Sequence, residues 1–212
     1  MAEVPDGCPT ADIDPWSDEV VADPYPTYRT LRDMGPVVWI DRHSMPALAR
    51  FDAVRAALTD HRRFSSAYGV SVDEARNQEM GESILSSDPP VHETYRRLLA
   101  TQLTPGALAR DTSSIQAAAD TLVARLRDMG TFDAVTDMAS RFDVARNPLD
   151  QLAFGRGIHL CVGIHLARAE AHSLFNALVQ AFRRFELVGT PVWKLDNTLH
   201  GLASLPVRGV PA

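Results

Sequence analysis

Cysteine is nearly absent from this chain: there are two in 212 residues, Cys8 and Cys161, far apart in sequence. That excludes a disulfide framework, and Cys8 lies in a polar leader bearing proline and glycine. No apolar run approaches the ~20 residues of a membrane span. The start MAEVPDGCPT lacks the basic-then-apolar order of a secretory signal. Positive charge is in deficit: 21 Lys and Arg against 27 Asp and Glu give a net charge of -6, which argues against nucleic acid as a partner. Internal repeats and low-complexity segments are missing too. These absences leave a cytoplasmic globular protein, with neither membrane nor nucleic acid among its partners. Its 45% hydrophobic and 23% charged residues suit one sizeable domain or a large piece of one.

The periodicities are mostly helical. DPYPTYRTLRDMG predicts a helix with Tyr28, Leu31 and Met34 on one face, ended by Gly35-Pro36. The runs PVVWID and MPALAR, separated by RHS, predict a hairpin. FDAVRAALTDHRRF predicts a second helix, facing inward through Val54, Ala57 and Leu58. Residues 65–87 are polar and without period, and read as a long loop of the kind that often carries function. Pro90 suits the first turn of the next helix, in which Tyr95, Leu98 and Leu99 share a face. Ile115, Ala118, Ala119, Leu122, Val123 and Leu126 repeat as one long amphipathic helix, stopped at Gly130. A further helix is expected over 166–185, with its apolar stripe in the core, then two short strands about a turn at Asp196-Asn197. The fold class is mainly α with small β-sheets. The leader, as far as Asp18, reads as irregular.

Residues 154–168, FGRGIHLCVGIHLAR, are different in kind. Cys161 directly precedes a helical pattern, so its sulfur meets unpaired backbone N–H groups and the positive end of a helix dipole, a setting suited to an anionic sulfur. Gly155 and Gly157 let the loop curl its amides toward that sulfur, and Gly163 clears an approach. His159 supplies a polar tip nearby. Such a thiolate suits a nucleophile, a zinc ligand or a haem iron ligand. Zinc has only His159 and His165 as local partners, and a nucleophile would need His92 or His172 as a distant base. Three glycines and Phe154 are better explained by a flat porphyrin over the sulfur.

Phe154, Gly155, Gly157, His159, Cys161 and Gly163 reproduce the F-G-x-G-x-H-x-C-x-G loop, and the chain thereby resembles the cytochrome P-450 superfamily. Chance would produce those identities in a chain of this length roughly once in a million. The resemblance implies haem b (iron protoporphyrin IX), with Cys161 as the proximal thiolate that donates electron density to iron. It implies that SSDPPVHETYRRLLATQLTP is the helix along the haem edge, where His92 and Arg96 bind a propionate, with His159 binding from the other side. Phe154 would pack beside the loop. Tyr68, Val70, Ile84 and Leu85, with Leu202 in the closing hairpin LDNTLHGLASLPVRG, would line the substrate side. The implied reaction is insertion of one oxygen atom of O2 into a small organic substrate, with electrons from a ferredoxin-type donor received near Arg156 and Arg168. The wording of the N-terminal helix and the long loop leans toward bacterial members that oxidise small aromatic acids.

The chain departs from the family internally. The match runs to about Phe142 and resumes at Asp143, already on the approach to the cysteine loop, which divides the chain into residues 1–142 and 143–212. The long central helix with its acid–alcohol pair is missing. Asp111-Thr112 mimics that pair but lacks the glycine and lies too soon after the Arg96 helix. The string Glu93 to Arg96 is a coincidence of the propionate helix, while the R-x-N-P sequel survives as Arg146, Asn147 and Pro148. The expected fold is therefore a cytochrome P-450 fold lacking its central helices, with apolar faces left uncovered. The alternative reading is a truncated, catalytically incompetent relative that binds haem or a partner protein.

Overall fold

Short apolar runs near the N-terminus pair into a small sheet. In the computed structural model, which describes residues 4–138, 154–196 and 201–212, Thr10–Ala11 (β1) runs parallel to Val38–Ile40 (β2). Met45–Ala47 (β3) pairs with β2 antiparallel, through Trp39 opposite Pro46. The hairpin is as expected, but β1 arises in the leader, whose composition disguised it. Asp18–Ala22 (α1) begins there as well, with the Ser17 hydroxyl accepting from the Val20 N–H. Tyr25–Met34 (α2) and Phe51–Thr59 (α3) are the two N-terminal helices the periodicity predicts. Leu31 from α2 packs with Ala11, Val38 and Ile40. Tyr28 and Met34, assigned to the same face, are exposed, and α3 buries none of its residues.

These elements belong to the first of two units, Met1–Thr59 with Trp193–Leu202; the second is Asp60–Val192 with Ala203–Ala212. The units divide the chain differently from the 1–142 and 143–212 segments, since residues 193–202 group with the first and the rest of the C-terminal part with the second.

The second unit contains Glu74–Met80 (α4), Val91–Ala100 (α5), Pro105–Leu108 (α6) and Thr112–Met129 (α7). α4 interrupts the expected loop. Its start is capped by Asp73, which accepts the Ala75 N–H at 2.9 Å. Thr131–Asp133 (β4) follows α7 at Gly130, and Ile164–Ala181 (α8) follows the cysteine loop. Phe182–Leu187 (β5) corrects the expected 166–185 helix: the chain leaves α8 at Ala181, and Phe185 is on a strand. The reason is tertiary, since β5 finds a distant partner in Pro206–Pro211 (β8), which also pairs with β4. Between them Val192–Trp193 (β6) and Leu202–Ser204 (β7) form the closing hairpin; Asn197 of its turn lies outside the described residues. Arg146, Asn147 and Pro148 lie outside them too.

The core of this unit is where α7 meets α8. Ala119, Leu122, Val123 and Leu126 pack with Leu174, Ala177 and Leu178, and with Phe132, Phe182 and Val207 from the sheet. Ile115 and Ala118 of the predicted α7 stripe stay outside this buried set. On α8 the stripe is only partly core, because Phe175 and Val179 are exposed. On α5, Leu98 and Leu99 are exposed and His92 is the buried residue, so the expected apolar face points outward. Among the described residues no helix is long and apolar enough to cross a membrane.

Asp133 ties β4 to the C-terminal segment. It accepts from the Ser204 hydroxyl and from the N–H groups of Val135, Thr136 and Leu205. These bonds, the Ser204 hydroxyl foremost, hold its carboxyl at about 2, below the ordinary 3.8. A depressed carboxylate stabilises the fold above its unfolded value and loses that contribution as pH falls through the folded one. Melting temperature should therefore drop between about pH 4 and pH 2, and Asp133→Asn should flatten that step while lowering stability at neutral pH.

Candidate functional site

Helix α5 sets His92 and Arg96 one turn apart, on one face. The loop after Phe154 meets that face. Gly155 and Gly157 take positive φ, 69° and 67°, which an L side chain rarely adopts. A Cβ at Gly155 would approach the His159 carbonyl oxygen at 3.2 Å. A single 3₁₀ turn, Gly157–His159, then carries the chain to Cys161, whose N–H closes the loop on the Phe154 carbonyl at 2.8 Å. Gly163 caps α8, and the Cys161 carbonyl accepts the Ile164 N–H at 3.4 Å. Cys161 is thus a half-buried free thiol at the mouth of a helix of 18 residues. A Cβ at Gly163 would sit 3.8 Å from its Sγ, so the bare glycine keeps that side of the sulfur clear.

The Arg96 guanidinium reaches this loop and donates to the carbonyls of Leu160 and Ile158, the latter at 3.4 Å. The rings of His92 and His159 meet edge to face, with centroids 4.6 Å apart. Burial pushes both imidazoles below their usual value; for His92 the neighbouring His159 and Arg96 add to this, whereas for His159 the Asp88 carboxylate opposes it. His92 is only 3% exposed, yet neither of its ring nitrogens has a partner, nor has Nε2 of His159. Interiors seldom leave such atoms unpaired, at a cost of roughly 1–3 kcal/mol each. A carboxylate bound beside them would satisfy the imidazole N–H groups and exchange for the carbonyls now held by Arg96. Together with the open sulfur and the glycine cradle, this donor set fits a flat metallocycle carrying carboxylate arms.

His92, Arg96, Phe154, Gly155, His159, Cys161 and Gly163, the candidates the sequence offers, lie in one place. The substrate-side candidates fare unevenly. Tyr68 lines a pocket of about 390 Å³, but Val70, Ile84 and Leu85 are not in its wall. Ile84 meets the site instead through its backbone, hydrogen-bonded to His159. Leu202 is on β7 and belongs to the first unit. Arg156 and Arg168 are half-buried, and His165 and His172 are exposed. Asp111 caps α7 and is exposed. Among the described residues no three His, Cys, Asp or Glu gather as a metal cage, so Cys161 has no zinc-site partners. Sequence reasoning missed Glu74, Glu82, Ser87 and Asp88 in the pocket wall. Their only signal was acidic residues recurring through a segment without period.

The class is marked by a mainly helical fold whose cysteine loop opens into one long helix, with a His–Arg pair laid against it. Comparison with known proteins agrees. The chain is 34% identical over 146 residues to cytochrome P450 CYP199A2 of Rhodopseudomonas palustris, covering 67% of this chain and 35% of that protein. It is 43% identical over 70 residues to beta-dihydromenaquinone-9 omega-hydroxylase of Mycobacterium bovis, covering 33% of this chain and 14% of that one. The crystal structure of cytochrome P450 CYP101C1 superposes with a TM-score of 0.81 at 14% identity, over 97% of this chain and 99% of that one. No family-level sequence profile matches. The chain belongs to the cytochrome P-450 superfamily. It spans only about a third of the first of these relatives, 35% of its length, and its fold is a shortened form of theirs.

Proposed function

We propose that this chain is the haem-holding part of a monooxygenase-type oxidoreductase working in the cytoplasm. Cys161 would bind the haem iron through its thiolate; His92, Arg96 and His159 would hold the propionates; Phe154, Gly155 and Gly163 shape the loop that carries the sulfur. Bound haem b supplies the activation of dioxygen and the insertion of one oxygen atom into a small organic substrate, with electrons from a ferredoxin-type donor. The glycines let the loop present sulfur without a side chain in the way, at the N-terminus of α8, whose dipole favours negative charge there. Arg96 would then neutralise the carboxylate edge, and the imidazole N–H groups would hydrogen-bond it. One observation carries the reading: buried, unpartnered imidazole nitrogens stand beside an arginine and next to a glycine-cleared cysteine.

The test is to supply hemin, reduce under carbon monoxide and record the Soret band. A strong red shift supports thiolate ligation, and its absence removes the reading. Arg96→Ala removes a charge-assisted bond worth roughly 1.5–3 kcal/mol. Haem should then dissociate on the order of ten to a hundred times faster, as read by transfer to an acceptor globin; an unchanged rate takes Arg96 off the propionate.

The 35% coverage favours a second reading, a haem- or partner-binding chain without turnover. Substrate-dependent NAD(P)H consumption with a ferredoxin system separates the two. Red-shifted spectra with no coupled product leave the second reading standing.

A further inference from the structure

The pocket of about 390 Å³ beside Tyr68 is formed entirely by the second unit's 67–91 segment. Small-molecule sites usually start at about 300 Å³. Three carboxylates line it, Glu74, Glu82 and Asp88, and no lysine, arginine or histidine does. Among the described residues each carboxylate accepts from neutral donors: Glu82 from the Tyr95 hydroxyl at 2.8 Å, Glu74 from Gln78 Nε2 at 3.4 Å, Asp88 from the Ser65 hydroxyl and from the Ser66 N–H at 3.1 Å, while the His159 and His61 imidazoles outside the wall also favour the Asp88 charge. Among the described residues none of the three is in an ion pair. Ser87, 3% exposed, lines the same wall with a hydroxyl that has no hydrogen-bond partner.

The wall is preformed. Asn77 Oδ1 takes the N–H groups of Val70 and Ser71 at 3.1 and 2.9 Å and its Nδ2 donates back to the Ser71 carbonyl at 2.9 Å, which pins the loop. Recognition is left to the carboxylates, to Ser87 and to the Tyr68 ring, 90% exposed at the rim.

We propose that this pocket binds a small organic cation whose charge sits on N–H donors, an ammonium, amidinium or guanidinium group attached to an apolar body. Such a group gives each carboxylate a charge-assisted bond. Its N–H reaches the Ser87 oxygen, and its charge favours the Tyr68 ring face. An anionic ligand meets three like charges in a wall without lysine, arginine or histidine, which disfavours it. This runs against the aromatic acids suggested by the family wording. As a statement about substrate class the inference rests on the monooxygenase reading; as a binding site it rests on the pocket alone.

Three near-isosteric probes separate charge from shape: benzamidinium, benzamide and benzoate, titrated calorimetrically into the hemin-supplied 212-residue chain at low salt. Benzamidinium should bind at least tenfold tighter than the other two. The Glu74→Gln, Glu82→Gln double variant should lose at least fivefold of that affinity, and Glu79→Gln, outside the wall, should lose none. Benzoate or benzamide binding as tightly as benzamidinium overturns the proposal, as does an unchanged affinity in the double variant. The carbon monoxide spectrum of the same sample reports the haem reading separately. A thiolate signature without the amidinium preference overturns this inference alone; the preference without the signature supports the pocket and overturns the haem reading.

Discussion

Cys161→Ser abolishes the thiolate signature of the hemin-supplied chain, while Cys8→Ser leaves it intact. A serine hydroxyl is nearly isosteric but remains protonated near neutral pH, so it brings no anionic donor to the iron. The backbone contacts that shape the loop, Cys161 N–H to the Phe154 carbonyl and the positive φ of Gly155 and Gly157, do not involve the sulfur and survive the exchange. The loss is therefore one of chemistry with the loop still in place, read as disappearance of the red-shifted Soret band in the reduced carbon monoxide complex. Cys8 lies in the first unit, its sulfur near only the carbonyls of Pro9 and Val37 at 3.6 and 3.9 Å. Equal spectra for Cys161→Ser and the parent would contradict the assignment of the ligand.

Leu126→Ala is expected to destabilise the second unit by about 2–5 kcal/mol, measured as the shift in urea midpoint at constant slope. Leu126 is fully buried, at 0% exposure, in the cluster that joins α7, α8 and the sheet. Truncation there leaves a cavity that Leu122, Leu178 and Phe132 can close only in part. Against a typical total of 5–15 kcal/mol, such a loss approaches unfolding. Leu98→Ala is the control: Leu98 is equally apolar but 68% exposed on α5, and the change should stay within about 0.5 kcal/mol. Similar shifts for both would mean that the α7–α8 contact is not the centre of the fold.

The same pair shows how far the sequence could be read. The stripe of α7 is legible because its apolar residues repeat over about three turns and find their partners on α8, itself periodic. The stripe of α5 was equally legible yet misleading, since periodicity marks a face that wants cover and does not say whether the cover is present. The apolar pattern of 166–185 predicts a helix as far as Phe185; its strand depends on Pro206–Pro211, more than twenty residues on. The short leader strand Thr10–Ala11 has no local signal at all and exists through its pairing with Trp39 and Ile40.

By its residues alone the chain determined the cysteine loop. Glycines at 155, 157 and 163, a histidine at 159 and a sulfur at 161 are local demands of backbone angle and ligand chemistry, and local demands are written in consecutive positions. His92 and Arg96 announced themselves the same way, one helical turn apart. Only the tertiary structure decided that Arg96 rests on the carbonyls of Ile158 and Leu160, that His92 is buried with its ring nitrogens unpartnered against His159, and that three acidic residues line one pocket. Burial and charge balance depend on what the rest of the chain brings within a few ångströms, and no spacing along one segment encodes that.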